Sequence, residues 1–305
     1  MPRIVYIDKK FNADTLTVID RANVIIEDYQ AQGFDLTVRQ LHYQFVARGL
    51  APNLTSEYKR LGSIINDARL AGLVDWSAIH DGTRWLRSLA HWQNPRHALN
   101  ELTEQYRRDT WAGQPYRPEV WIEKDALVGV IEDVCNELEI PYFSCRGYDS
   151  QSAMWLAAQR LEGFADLGQE PIIFHLGDHD PSGLDMSRDI QARLDLFMGG
   201  VEFKRLALNM DQVRLYAPPP NFAKLTDSRA AAYIRIHGNE SWELDALEPT
   251  VMAGLIRDAV EGIRNNRLWE ADKATIDREK ATLAKAALRW VEVETFLNNG
   301  REGTA

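Results

Sequence analysis

Apolar residues recur at helical spacing through 14-DTLTVIDRANVIIEDYQAQG-33, and the run ends on a glycine, the residue that most readily turns the chain past a helix end. The next stretch, 37-TVRQLHYQFVARG-49, opens on a threonine suited to cap a helix and again stops on glycine. After the turn Ala51-Pro52-Asn53, residues 55–72 read as a third helix. It carries Lys59, Arg60 and Arg69 on one side and Leu61, Ile64, Ile65 and Ala68 on the other. The segment 74-VDWSAIHDGTRWLR-87 has β-favouring ends around Asp81-Gly82, which predicts a hairpin. Three helices and a hairpin in this order suit a winged helix-turn-helix, and equally a generic helical domain.

From residue 119 the pattern becomes an alternation. Strands over 119–123, 141–145, 171–177 and 202–208 are separated by helices over 125–139, 150–164 and 182–198. Right-handed crossovers fold such a run into a parallel α/β sheet with helices on both faces. The linker 109-DTWAGQPYRPE-119 and the proline cluster 218-PPPN-221 bound this region. The chain thus divides into a helical or winged-helix domain over 1–112, a sheet domain over 113–220 and a mostly helical extension over 221–305. In the extension, 242-WELDALEPTVMAGLIRDAVEGI-263 is the clearest amphipathic piece.

Composition narrows the classes. Hydrophobic residues at 45% and charged residues at 26% are globular values. No apolar run reaches the ~20 residues needed to span a bilayer, and the start lacks the apolar core of a signal peptide. Two cysteines, Cys135 and Cys145, cannot build a disulfide framework, and no Cys/His spacing suits zinc. A cytoplasmic protein without a membrane partner is the expectation. The net charge of -10 argues against nucleic acid only until the chain is divided. Residues 1–118 hold 15 Lys+Arg and 13 Asp+Glu, a net of +2, whereas the remainder holds 20 and 32, a net of -12. A DNA-binding first part therefore stays open.

The chemistry gathers in 172-IIFHLGDHDPSGLDM-186, where Asp178, Asp180 and Asp185 follow an apolar strand. Ligands of open parallel sheets sit beyond the carboxyl ends of the strands. Asp178 and Asp180 fall there, and Glu123 falls at the same end after the first strand. Clustered carboxylates raise one another's pKa unless a cation neutralises them, and oxygen-only donors suit Mg²⁺ or Mn²⁺. Asp-Pro-Ser-Gly also reads simply as a capped helix start. A haloacid-dehalogenase phosphatase carries its acid pair after its first strand, and here the pair follows the third.

A Glu after the first strand and Asp-x-Asp after the third resembles the Toprim fold of topoisomerases, primases and certain nucleases. The blocks 122-IEKDAL-127, 146-RGYDS-150 and 177-GDHDPSGLDM-186 resemble more closely the topoisomerase VI A subunit and its meiotic double-strand-break relatives. The resemblance implies that Glu123, Asp178 and Asp180 hold Mg²⁺, with Asp185 as a further acidic position. It extends to 37-TVRQLHY-43, where Arg39 and Tyr43 keep the spacing of the family's arginine and catalytic tyrosine, and His42 replaces the first tyrosine of the family's pair. Tyr43 is then the nucleophile that leaves a 5′-phosphotyrosyl link, with Arg39 as its helper; the alternative is a tyrosine that merely packs. The stretch 241-SWELDAL-247 is similar to a Glu-rich C-terminal block of the family. The short chain, with no nucleotide-binding loop of the Gly-x-x-x-x-Gly-Lys-Ser/Thr type, resembles the stand-alone mini-A branch of the type IIB group.

The resemblance implies a homodimer acting on double-stranded DNA, its acids completing the site of the partner subunit, and leaves room for a separate ATPase B-type subunit. Lys59, Arg60 and Arg69 are candidate phosphate contacts, or a solvated helix face. The competing functions are a Toprim nuclease that activates water, with Tyr43 structural, and a non-catalytic DNA-binding protein.

Overall fold

Asn12 accepts from the Thr15 N–H, and the chain enters helix α1 (Ala13–Ala31) there. Thr37 and Gln40 form a reciprocal capping box at the start of α2 (Val38–Ala47), and α3 (Thr55–Leu70) follows. Gly33, Gly49 and Gly72 take positive φ just past the three helix ends, as the sequence leads one to expect. The structure, a computed structural model, describes residues 3–79, 89–145, 151–222, 227 and 229–299. Most of the expected hairpin over 74–87 and the whole block 146–150 lie outside the described residues. Ile19, Ile25, Leu36, Leu41, Phe45, Leu61 and Ile65 close the core between α1, α2 and α3.

Helix α4 (Pro95–Gln105) precedes the alternating region: β1 (Tyr116–Ile122), α5 (Val128–Glu137), β2 (Tyr142–Ser144), α6 (Gln151–Asp166), β3 (Glu170–Leu176), α7 (Pro181–Met198) and β4 (Glu202–Ala207). The fold is mixed α/β. The four strands stand in the order β2-β1-β3-β4, with β1 parallel to β2 and β3 parallel to β4. Trp121 and Ile173 point to a side where Met154 and Leu161 of α6 and Ile190 and Leu194 of α7 cover them. Their strand neighbours Val120, Ile122, Ile172 and Phe174 alternate to the opposite side and are equally buried. Continuous burial explains why these strands read as unbroken apolar runs.

The region after 220 departs from the expected helical extension in its first part. Helix α8 (Met210–Tyr216) is followed by β5 (Asn221–Phe222), α9 (Ala230–His237) and β6 (Glu240–Ser241), with β5 and β6 antiparallel. Next comes a 3-10 turn, Leu244–Ala246. The His179 and Trp242 backbones exchange hydrogen bonds of 2.8 and 3.0 Å, so this stretch is bound to the end of β3 rather than coiled away from it. Helix α10 begins only at Pro249, which suits a first helical turn.

Two compact units divide the chain. One comprises residues 1–84 and 117–262, the other 85–116 and 263–305. The three helices and the sheet thus share a unit, whereas the sequence suggests a boundary near 112. In the second unit, α4 packs on α11 (Asn266–Leu288), Trp111 meets Trp269 edge-on, and Tyr106 donates to Glu279 at 2.8 Å; α12 (Trp290–Asn299) ends the described chain.

Candidate active site

Strand β1 delivers Glu123 one residue past its end, and the Glu123 N–H donates to the Leu176 carbonyl at 2.9 Å. That pairing brings Glu123 beside the loop after β3. Its Oε2 accepts from the Asp178 N–H at 2.8 Å. The fit is close: a Cβ on Gly177 would stand 2.8 Å from Glu123 Oε2, and one on Gly183 would stand 2.3 Å from the Asp178 carbonyl. At Gly183, which faces backbone, only glycine permits that approach. Asp180 caps α7, accepting from the Gly183 N–H at 2.6 Å. Its helix-starting role is therefore real, and Asp180 also lines the adjoining cavity.

Under this loop lies Arg205 of β4. Its guanidinium donates to the carbonyls of Gly177 at 2.8 Å and Asp178 at 2.5 Å, to Gly183, and to the Ser187 hydroxyl. Burial pulls its pKa down to about 10, with Glu123, Asp178 and Asp180 pulling the other way. A buried cation thus pins the backbone that carries both aspartates.

The Asp178 side chain is bound by Leu244 and Lys124. Its Oδ1 accepts from the Leu244 N–H at 2.7 Å and from Lys124 Nζ at 3.0 Å. The Lys124 ammonium is also 3.0 Å from Glu243 Oε2 and 2.9 Å from Asp245 Oδ2, so three carboxylates surround it. Burial pulls the Lys124 pKa down, but the three acids together hold it above its ordinary value. For Asp178 burial wins over Lys124 and drives the pKa up to about 6. Burial and then repulsion from Asp178 push Glu123 to about 7. The pair resists double ionisation. Among the described residues, no three or more His, Cys, Asp or Glu side chains stand grouped as they would around an ion.

Helix α2 packs its inner side on the 3-10 turn Leu244–Ala246. Gln44 donates to Glu248 at 2.9 Å, Tyr29 bonds the same carboxylate, and Asn53 reaches Asn221 at 2.8 Å. Tyr43 is 4% exposed, and its oxygen accepts from Asn221 Nδ2 at 3.1 Å. Asn221 also donates to Glu243 Oε1 at 3.3 Å, so one amide joins the Tyr43 oxygen to the Glu243 carboxylate. Burial and Glu243 push the phenol up to about 12 against Asn221, Lys124 and Arg39. Arg39 is half-exposed, 3.4 Å from Glu243 Oε2 and 3.9 Å from Asp245 Oδ2, and its guanidinium lies 5.7 Å from the centre of the Tyr58 ring. His42 is buried, which pulls its pKa down, and its ring centre lies 6.0 Å from that of Tyr43 and 5.8 Å from that of Tyr58. Arg39, His42, Tyr43, Asp180, Asn221 and Glu243 all line one cavity of about 490 Å³.

The chain matches no model of a known protein family, no curated protein and no solved structure.

The other sequence candidates lie apart from this cavity. Asp185 bridges Arg188 at 2.7 Å and Arg229 at 3.0 Å. Arg69 turns back on its own domain, donating to the Trp76 and Ile79 carbonyls and stacking 4.7 Å from the Trp76 ring centre. Lys59 and Arg60 stay exposed on α3, with Arg60 paired to Glu57 at 3.1 Å.

Sequence reasoning gave no role to Lys124, Arg205, Asn221 or Asp245, and noted Glu243 only as part of a block. One signal was available. Two acids stand two residues apart in Glu243-Leu244-Asp245, and from the start of the 3-10 turn both reach one partner. Nothing local in the sequence marks that partner as Lys124.

Proposed function

We propose that this chain is a Mg²⁺-dependent DNA-cleaving enzyme related to type IIB topoisomerase A subunits, built from a winged-helix part and a Toprim-like sheet. Tyr43 is the attacking group, giving a 5′-phosphotyrosyl link. The observation that carries the reading is the cavity lined together by Tyr43, Arg39 and Asp180, with Glu123 hydrogen-bonded to the Asp178 backbone two residues before Asp180. The donor set fits a hard divalent ion: all three groups are carboxylates, and Glu123 and Asp178 hold raised pKa values that a cation would relieve. Glu123, Asp178 and Asp180 would hold Mg²⁺ or Mn²⁺, which supplies neutralising charge to the phosphoryl oxygens.

The chain's own groups divide the remaining work. Arg39, half-exposed at the cavity, is the cation available to a phosphate oxygen. Lys124 balances the Asp178, Glu243 and Asp245 charges, so Asp178 can turn to an ion only by exchanging that partner. Lys59 and Arg60 offer phosphate contacts on the same chain.

A second reading has its own support. The Tyr43 phenol is buried, tied to Asn221 and raised to about 12, as a packing tyrosine would be. A nuclease that activates water at the acids would then leave Tyr43 structural. Supercoiled plasmid incubated with the chain and Mg²⁺, then denatured and extracted with phenol, separates the two. Cut DNA should stay at the protein interface until protease frees it; cut DNA that stays in the aqueous phase without protease supports the nuclease.

A further inference from the structure

A phenol at about 12 is almost wholly protonated near neutral pH, so attack by Tyr43 requires a group that takes its proton as the new bond forms. The surroundings of the Tyr43 oxygen offer few such groups. Asn221 is a donor toward it, Arg39 and Lys124 are cations held protonated, and His42, its ring centre 6.0 Å from that of Tyr43, shares no hydrogen-bonding group with the phenol among the described residues. Glu243 is different. It is a carboxylate that lines the same cavity, and it shares the amide nitrogen of Asn221 with the phenol, at 3.3 and 3.1 Å.

Resting on the tyrosine reading above, we infer that Glu243 is the catalytic base that accepts the Tyr43 proton. In the step, the Tyr43 oxygen forms a bond to phosphorus and the bond from phosphorus to the deoxyribose 3′-oxygen breaks. The phenolic proton passes to Glu243, the departing 3′-oxygen takes a proton from water, and the hydroxide so formed takes the proton from Glu243, which returns to its carboxylate form. The 5′-phosphate remains as the tyrosyl ester, so atoms and charge balance.

The ion pairs give this base a built-in control. Burial pushes the Glu243 pKa up, but Lys124 and Arg39 outweigh it and hold the carboxylate below its ordinary range. Before DNA arrives the base is therefore weak. Arg39 is the exposed partner of the two, at 47% against 19% for Lys124. A phosphodiester entering the cavity competes for Arg39 and draws it from Glu243. Losing that cation strengthens the base at the moment the nucleophile must be deprotonated.

The test uses the full chain, plasmid DNA and Mg²⁺, and reads the single-turnover rate of covalent adduct formation. Glu243→Gln should keep DNA affinity and lower that rate by roughly 10²–10⁴-fold, the span of a lost general base. Replacing Tyr43 by a ring-fluorinated tyrosine, whose phenol is more acidic, should restore much of the rate in the Glu243→Gln background. A purely structural Glu243 would not respond to phenol acidity. If Glu243→Gln does not fold, Glu243→Asp serves. It keeps the charge facing Lys124 but withdraws the carboxylate from Tyr43, with the same loss and the same recovery expected. A wild-type rate in Glu243→Gln overturns the assignment, as does a loss that the fluorinated tyrosine leaves unrepaired. Wild-type protein that cuts without forming any adduct overturns the tyrosine reading itself, and that outcome is distinct from the other two.

Discussion

Glu123 carries two burdens at once, burial and the nearby Asp178, and both favour its neutral form. Its folded pKa of about 7 lies above the ~4.3 of a free glutamate. A group whose pKa is raised on folding stabilises the fold below its unfolded value and loses that contribution as pH climbs through the folded one. Wild-type protein should therefore lose stability between about pH 4.5 and 7 from this group and its partner Asp178. Glu123→Gln cannot ionise and escapes much of the loss. Relative to wild type, the variant should gain on the order of 2–3 kcal/mol between pH 5 and pH 8, and added Mg²⁺ should narrow the gap at pH 8. Thermal melts at the two pH values measure it; a pH-independent difference contradicts the raised pKa. At this scale the sequence was informative where a residue's meaning is local. Glu123, Asp178 and Asp180 were legible because each sits at a strand end. Lys124, Asn221 and Glu243 were not, since their roles come from meetings across about a hundred residues of chain or more.

Helix α2 carries both Arg39 and Tyr43, so whatever fixes its start also aims the two side chains. The capping box of Thr37 and Gln40 does so, with the Thr37 hydroxyl accepting from Gln40 N–H at 3.2 Å and Gln40 Oε1 accepting from Thr37 N–H at 2.8 Å. Thr37→Ala removes one of these bonds and should cost about 1 kcal/mol of stability. It should lower cleavage by more than it lowers DNA affinity, as cleavage and binding assays on one preparation will show. Unchanged cleavage at reduced stability would separate the cap from the site. Helix starts and stops were readable because caps and glycines act within a few residues. The two-residue strands β5 and β6 and the 3-10 turn were not, because a pair that short is set by what it packs against.

The whole chain raises the matter of which copy completes the site. The resemblance implies acids supplied by the partner subunit, whereas here Tyr43 and Asp180 line one cavity of one chain. Mixing Tyr43→Phe chains with Asp178→Ala chains discriminates. A site completed within one chain gives no cutting in the mixture, and that is the expected result. Nicked plasmid from the mixture, when neither variant cuts alone, would place the acids across a dimer. The division into units was the least legible level. Residues 85–116 and 263–305 join through α4 on α11, Trp111 on Trp269 and Tyr106 on Glu279, contacts between segments far apart in sequence.

A covalent bond from the Tyr43 oxygen to a DNA 5′-phosphate defines the tyrosine mechanism, and mass spectrometry can detect that bond. Trypsin cuts after Arg39 and Arg48, which leaves Tyr43 as the single tyrosine of the peptide 40-QLHYQFVAR-48. After reaction with DNA and Mg²⁺, denaturation and exhaustive nuclease digestion, that peptide should carry the mass of a nucleotide on Tyr43, and Tyr43→Phe should carry none. Cleaved DNA bearing free 5′-phosphates, with the peptide unmodified, would contradict the tyrosine mechanism.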